Sequence, residues 1–256
     1  MITCKSEREI EFMREAGRIV ALAHQAAKAA IRPGVSTKTL NQICEDVILA
    51  NDATPSFKGL YGFPSTCCMS LNNVLVHGFP SSKVVLKEGD ILAIDIGACY
   101  KGYHGDSAWT YPVGEISDEN ARLLKATEES LYEGLKQAKA HNRLSDISHA
   151  IETHVHSYGF SVPRDYTGHG IGSEVHEDPS VPNFGKPGFG VKLKSGMCLA
   201  IEPMVQAGRP QTKVLDDNWS VVSADGSMSA HYEHTIVVRE DGCEILTTLH
   251  NDVEDK

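Results

Sequence analysis

No run of apolar residues in this 256-residue chain approaches the ~18–20 that a membrane-spanning helix needs, which excludes that class. Basic charge is in short supply: 24 Lys and Arg stand against 34 Asp and Glu, a formal net charge of −10. A nucleic-acid binder needs a basic face for the phosphates, so no nucleic-acid specificity is expected. Paired cysteines are lacking too. The seven cysteines are odd in number, none stands in a Cys-x-x-Cys pair, and Cys67 and Cys68 are adjacent. That excludes a secreted disulfide framework and points to a reducing cytoplasm. The stretch from Met1 to Glu9 lacks the charged-then-apolar layout of a signal peptide. No Pro/Gly/Ser linker or charge run divides the chain, so residues 1–256 read as one domain. With 41% hydrophobic and 23% charged residues, the composition is that of an ordinary soluble globular protein.

The spacing predicts helices over about 6–31 and 36–51. Ser6 and Glu9 form a capping box, and Ile10, Met13, Gly17, Val20, Ala21 and His24 recur at helical spacing behind it. Arg32-Pro33-Gly34 ends that helix. Residues 52–64 read as loop, and the chain up to Val113 as short strands. After Gly114 the order restarts, with helices over about 118–140 and 145–158, Gly159 as a C-cap, then strands and glycine-rich loops. The restart is visible in the residues themselves. Leu86–Asp95 and Leu193–Glu202 agree at six of ten positions, and the tenth is a carboxylate in both. His104-Gly105-Asp106 resembles His231-Tyr232-Glu233, and Val76-His77-Gly78-Phe79-Pro80 resembles Val175-His176-Glu177-Asp178-Pro179. We read two fused half-domains, about 1–114 and 115–256, related by an approximate two-fold axis.

Each match carries a polar group. Asp95 lies in Ile91–Ile96 and Glu202 in Leu199–Met204, both too apolar for a surface strand. Burying an ionised carboxylate there is costly unless a cation or donors compensate. Tyr100-Lys101-Gly102-Tyr103 supplies a turn between Asp95 and Asp106, whose separation of 11 is odd. A hairpin loop of even length therefore puts both side chains on one sheet face. Pro203 marks a strand end, and Glu233 precedes a strand, so a Glu202–Glu233 hairpin with residues 208–230 as an excursion is open. Four converging carboxylates need cations between them, and two divalent ions neutralise four charges. Oxygen-rich ligation with one imidazole suits Mn, Fe, Co or Zn better than Mg or Ca. The imidazole candidate is His169 in Thr167–Gly172, where glycines allow close backbone approach and an unusual turn. His77 and His176, the repeat partners, would donate hydrogen bonds from opposite sides. The set fits metal-assisted hydrolysis. The remaining histidines (His24, His104, His141, His149, His154, His156, His231, His234 and His250) read as surface or packing residues, although His104 and His231 stand two residues before proposed ligands.

Asp95, Asp106, His169, Glu202 and Glu233 resemble the two-metal set of the methionine aminopeptidases, in the same order. Val76-His77-Gly78, Asp95-Ile96-Gly97, Gly168-His169-Gly170-Ile171-Gly172, His176-Glu177-Asp178-Pro179, Ile201-Glu202-Pro203-Met204 and Tyr232-Glu233-His234-Thr235 carry the resemblance through nearly the whole chain, which resembles the compact bacterial type I form. It implies an α+β, pita-bread fold with helices outside a curved, largely antiparallel sheet. It also implies removal of the initiator methionine from nascent chains and peptides whose second residue is small. Asp106 and Glu233 would bridge the metals, Asp95 would chelate one, and His169 and Glu202 would complete the other. Glu202 would shuttle the proton, while His77 and His176 would contact the substrate peptide group. The substrate's free α-amino group would bind at the metals, hence exopeptidase action. Phe63, Cys68 and Trp219 match the methionine pocket, and Asn72, Val74 and Ser229 a monovalent-cation site. A monomer, with ribosome association as a further partner, completes the expectation. Val175, Phe57, Leu60 and Tyr61 depart from the best-known enterobacterial pattern, which leaves the pocket's lining open. Two rivals remain: an aminopeptidase or dipeptidase acting beside proline, and a catalytically dead relative that only binds.

Overall fold

Ser6 opens the first helix as its spacing predicts. Its hydroxyl accepts from the Glu9 amide while the Glu9 carboxylate accepts from the Ser6 amide. The computed structural model describes residues 2–249; Met1 and residues 250–256, and with them His250, lie outside that range. The first half comprises α1 (Glu7–Ala30), α2 (Thr37–Ala50), β1 (Thr54–Pro55), β2 (Cys67–Leu71), β3 (Val74–Val76), β4 (Ile91–Tyr100) and β5 (Tyr103–Pro112). The second comprises α3 (Asp118–Leu135), α4 (Leu144–Ser157), β6 (Thr167–Gly170), β7 (Glu177–Pro182), β8 (Cys198–Ile201), β9 (Met204–Gln206), β10 (Thr212–Val214), β11 (Val221–Ser223), β12 (Ser229–His231), β13 (His234–Val238) and β14 (Cys243–Ile245). Two helices followed by antiparallel strands thus occur twice, the α+β order expected.

Period-two alternation decides what each strand shows to which side. Leu92, Ile94, Ile96 and Ala98 of β4 enter one core with Val20, Ala23, Leu40 and Ile48 of α1 and α2. Leu199, Ile201, Ile236 and Val238 of β8 and β13 enter another with Leu123, Leu131, Ile147 and Ile151 of α3 and α4. Helices therefore cover one face of each sheet, and the alternate residues, Asp95 among them, point to the other.

Besides the pairing of β3 with β11, the two halves meet through hydroxyls at the centre. Thr235 Oγ1 donates to the Asp106 carbonyl at 2.8 Å and accepts from the Asp106 amide at 3.0 Å. Ser107 Oγ donates to the Glu233 carbonyl at 2.7 Å, and the Glu233 amide donates to Ala108 O at 2.8 Å. Thr110 Oγ1 donates to His231 O and accepts from His231 N, both at 2.9 Å. This splice fixes β5 against β12 and β13 where Asp106 and Glu233 sit.

Three local expectations need correction. The third helix stops at Leu135 rather than near Ala140: the Gln137 and Ala138 amides donate only three residues back, to Gly134 and Leu135, and the Ala140 amide donates to the carbonyl of Arg239. His169 lies in strand β6, not in a turn, and its flanking glycines act through space. A Cβ on Gly168 would meet the Ala200 carbonyl, and one on Gly170 the Asp178 carbonyl. The 208–230 excursion is no free loop: β11 pairs with β3 through Val221↔Val76, which carries Trp219 to His77.

Candidate metal centre

Lys101 and Gly102, both at positive φ, form the two-residue turn between β4 and β5. That loop length is even, and the register pairs Gly97 with Asp106 and Asp95 with Ala108. Asp95 and Asp106 therefore share the face away from α1 and α2. β2 adds Cys68 opposite Asp95 on that face, while Cys67, one residue earlier, turns into the helix-facing core. In the other half, Ile201↔His234 continues to Glu202 beside Glu233. Both carboxylates stand at a break in the ladder, where Pro203 has no amide to give. His169↔Ala200 then sets the imidazole on the face of Glu202.

The distances describe one cluster. His169 Nε2 lies 3.5 Å from Glu202 Oε1 and 3.9 Å from Asp106 Oδ2, and His231 Nε2 lies 3.2 Å from Glu202 Oε2. His169 Nδ1 is 2.9 Å from the Gly170 carbonyl, which can only accept. Nδ1 therefore carries the proton and Nε2 turns a lone pair toward the carboxylates, the tautomer a metal requires. Two sets of three donors, Asp106–His169–Glu233 and Glu202–His231–Glu233, each lie within 4.8 Å of one another and share Glu233. Asp95 belongs to neither set and adjoins them through a side-chain hydrogen bond with Asp106.

The electrostatics are those of an uncompensated acidic cluster. Burial, then Asp95 and Glu202, push Asp106 well above the usual carboxylate range. Burial, then Asp106 and Glu202, do the same to Glu233, and burial alone lifts Glu202. Asp95 rises to about 6, chiefly by burial. Oδ1 of Asp95, Oδ1 of Asp106 and Oε1 of Glu233 are buried without any hydrogen-bond partner. Orphaned carboxylate oxygens and a pre-set imidazole lone pair are a donor set that fits divalent cations.

A cavity of about 410 Å³ opens over the cluster. His77 and His176 both line it. The His176 ring lies 4.5 Å from that of His169 and stacks on Tyr61 at 6.0 Å. His77 sits at φ 60° in the left-handed region and meets Trp219 edge-on at 6.3 Å. Such backbone strain persists only where surroundings enforce it. Phe63, Cys68 and Trp219 form one apolar wall, with Phe57 and Val175 packed among them and the Phe63 and Trp219 rings 5.2 Å apart. Tyr61, by contrast, is exposed. The Ser229 amide donates to Asn72 O at 2.9 Å, while Ser229 Oγ is buried without a partner; Val74 lies on neighbouring β3.

The sequence reading sets His231 aside as packing, and the structure corrects that: it is 2% exposed, lines the cavity and touches Glu202. Tyr166 and Met204 also line the cavity and were not anticipated. For His231 a signal existed, since residues two apart on a strand share a face. His104, equally two residues from a carboxylate, lies toward the hairpin tip, where its Nδ1 pairs with Ser56 Oγ at 2.8 Å. Of the others, His24 is buried in hydrogen bonds to Ser107 and Tyr111, and His141 and His154 pair with Glu240 and Glu129.

Residues 11–240 match metallopeptidase family M24. Methionine aminopeptidase 1 of Bacillus subtilis (strain 168) is 59% identical over 249 residues, which cover 97% of this chain and all (100%) of that protein. The crystal structure of methionine aminopeptidase from Thermotoga maritima superposes with a TM-score of 0.96 at 45% identity, covering 97% of this chain and 100% of that one. An X-Pro aminopeptidase from Thermotoga maritima MSB8 is more distant: TM-score 0.75, 26% identity, 96% of this chain and 62% of that one.

Proposed function

Since this chain belongs to metallopeptidase family M24, we propose that it is a metal-dependent aminopeptidase that removes the N-terminal methionine of peptides and nascent chains whose second residue is small. The observation that carries this reading is the cluster of orphaned, buried carboxylates at the foot of an aromatic- and sulfur-lined cavity. Asp95, Asp106, His169, Glu202 and Glu233 would hold two divalent ions drawn from Co, Mn, Fe or Zn. When bound, such ions supply Lewis acidity, which lowers the pKa of a hydrolytic water toward 7 and polarises the scissile carbonyl.

The remaining steps belong to the chain's own residues. Glu202 accepts the water's proton and returns it to the leaving amine, a role open to a carboxylate that lines the cavity. His77 and His176 hold the peptide group from the cavity wall, and their donors strengthen as charge develops on its oxygen. Burial keeps both imidazoles neutral: His77 falls to about 4, and His176 falls below the ordinary histidine value. Phe63, Cys68 and Trp219 receive the methionine side chain, since a flexible thioether packs well against rings and sulfur. Burial, then Asp95 and Asp106, hold the Cys68 thiol far above its usual pKa, so it packs as a small apolar group rather than a nucleophile.

The chain would act in the cytoplasm as a monomer, one catalytic unit of two fused halves, with the ribosome as a partner and a monovalent cation near Asn72, Val74 and Ser229. Among the described residues no helix is long and apolar enough to cross a membrane. Turnover of Met-Ala-Ser against Met-Pro and Xaa-Pro peptides, with Mn²⁺ or Co²⁺ added to chelated protein, tests the reading. Cleavage of Xaa-Pro without Met-Ala-Ser would transfer the assignment to the proline-directed relatives, and no cleavage with any divalent ion would leave a binding protein.

A further inference from the structure

We propose that His231 is a metal ligand, so that this centre holds two imidazoles rather than one. The inference rests on reading the acidic cluster as a divalent-metal site. His231 Nε2 is buried without a hydrogen-bond partner, although it lies only 3.2 Å from Glu202 Oε2. The two atoms are close but not aligned for donation. Two donors that share an ion at about 2.1 Å and subtend 90–110° stand about 3.0–3.4 Å apart. The observed spacing is that of co-ligands.

The wider arrangement agrees. Glu233 is common to both donor sets, and each set contains one imidazole, His169 in one and His231 in the other. His231 is also fixed from behind: its amide donates to Thr110 Oγ1 and its carbonyl accepts from the same hydroxyl, both at 2.9 Å. The ring is thereby held at the seam between the halves. A second nitrogen donor shifts an oxygen-rich site toward Zn, Co and Fe and away from Mn and Mg.

X-ray absorption at the cobalt edge of the full chain loaded with Co²⁺ counts bound imidazoles without any substitution. Two per chain are expected; one overturns the assignment. Titration of metal-stripped protein with Zn²⁺ and Mn²⁺ gives a second readout. In His231→Phe, which keeps a ring but no donor, Zn²⁺ affinity should fall by more than about 100-fold, beyond the 10–100-fold typical of an outer-shell partner. Mn²⁺ affinity should fall less. His231→Gln keeps a side chain able to hydrogen-bond Glu202 but removes the imidazole. Wild-type Zn²⁺ affinity in that variant would make His231 a hydrogen-bonding neighbour and sink the proposal. The enzymatic reading fails separately, if wild-type protein takes up no divalent ion and leaves Met-Ala-Ser intact.

Discussion

Replacing Thr235 by Val tests whether the hydroxyl splice is what joins the halves at the centre. Valine matches threonine in shape, so packing at this fully buried position is kept and only the hydroxyl is lost. Thr235 Oγ1 serves both the amide and the carbonyl of Asp106. Each buried backbone group left without a partner costs about 1–3 kcal/mol. With partial relaxation, the loss should come to about 2–4 kcal/mol. For a chain of this length that is a fall of roughly 4–8 °C in melting temperature. Because the freed residue is Asp106, divalent-metal affinity should drop as well, by about 10-fold, as when a supporting partner is removed. Urea unfolding of metal-free protein reads the first number and Zn²⁺ titration the second. Thr235→Ser keeps the hydroxyl and should recover metal affinity while losing only a methyl's packing. If Thr235→Val stays within about 0.5 kcal/mol of wild type, the range of an inconsequential substitution, the splice does not join the halves.

Glu233→Gln should raise or leave unchanged the stability of metal-free protein, because it removes a carboxyl whose ionisation burial, then Asp106 and Glu202, oppose. It should also abolish both the thermal shift on adding Mn²⁺ and the cleavage of Met-Ala-Ser; a metal-induced shift equal to wild type would remove Glu233 from the site. His176→Ala should lower kcat far more than it raises KM, since its donor matters most in the transition state; the opposite split in steady-state kinetics would contradict that role. His24 is held near a pKa of about 4 by burial, so between about pH 6.5 and 4 the folded state binds fewer protons than the unfolded one. Stability should therefore fall as pH drops through that window, by about 3 kcal/mol from this group. Comparison of wild type with His24→Leu across that range in chelator should show the slope flattened in the variant, and equal slopes would refute it.

The parts of the centre that were legible in sequence are those fixed by local parity. Asp95 and Asp106 could be placed on one face because a two-residue turn preserves alternation. Glu202 and Glu233 followed because the second half repeats the first. What sequence did not show are the contacts made across the chain. Trp219 reaches His77 through the pairing of β11 with β3, and beyond the third helix the Ala140 amide donates to Arg239, about a hundred residues away, rather than along the helix. His231 is the instructive case. Alternation alone put it beside Glu233, but so it did His104 beside Asp106. Which one faces the carboxylates depends on distance from the hairpin tip, and that is a property of the assembled sheet.

The same geometry explains why the site lies at the seam. A buried carboxylate in one half would need local donors, and Asp95, Asp106 and Glu233 each retain an oxygen that has none. Gathering them from both halves concentrates the cost at one point, where a cation would offset it for all of them together. Ser107, Thr110 and Thr235 hold the halves together at this point. These hydroxyls touch backbone atoms of Asp106, His231 and Glu233, so the side chains proposed as ligands take no part in the join. Adhesion and ligation thus use different atoms of the same residues. Loosening the join at Thr235 replaces no proposed ligand and reaches the metal only through the backbone of Asp106, and loss of a ligand should not unfasten the join.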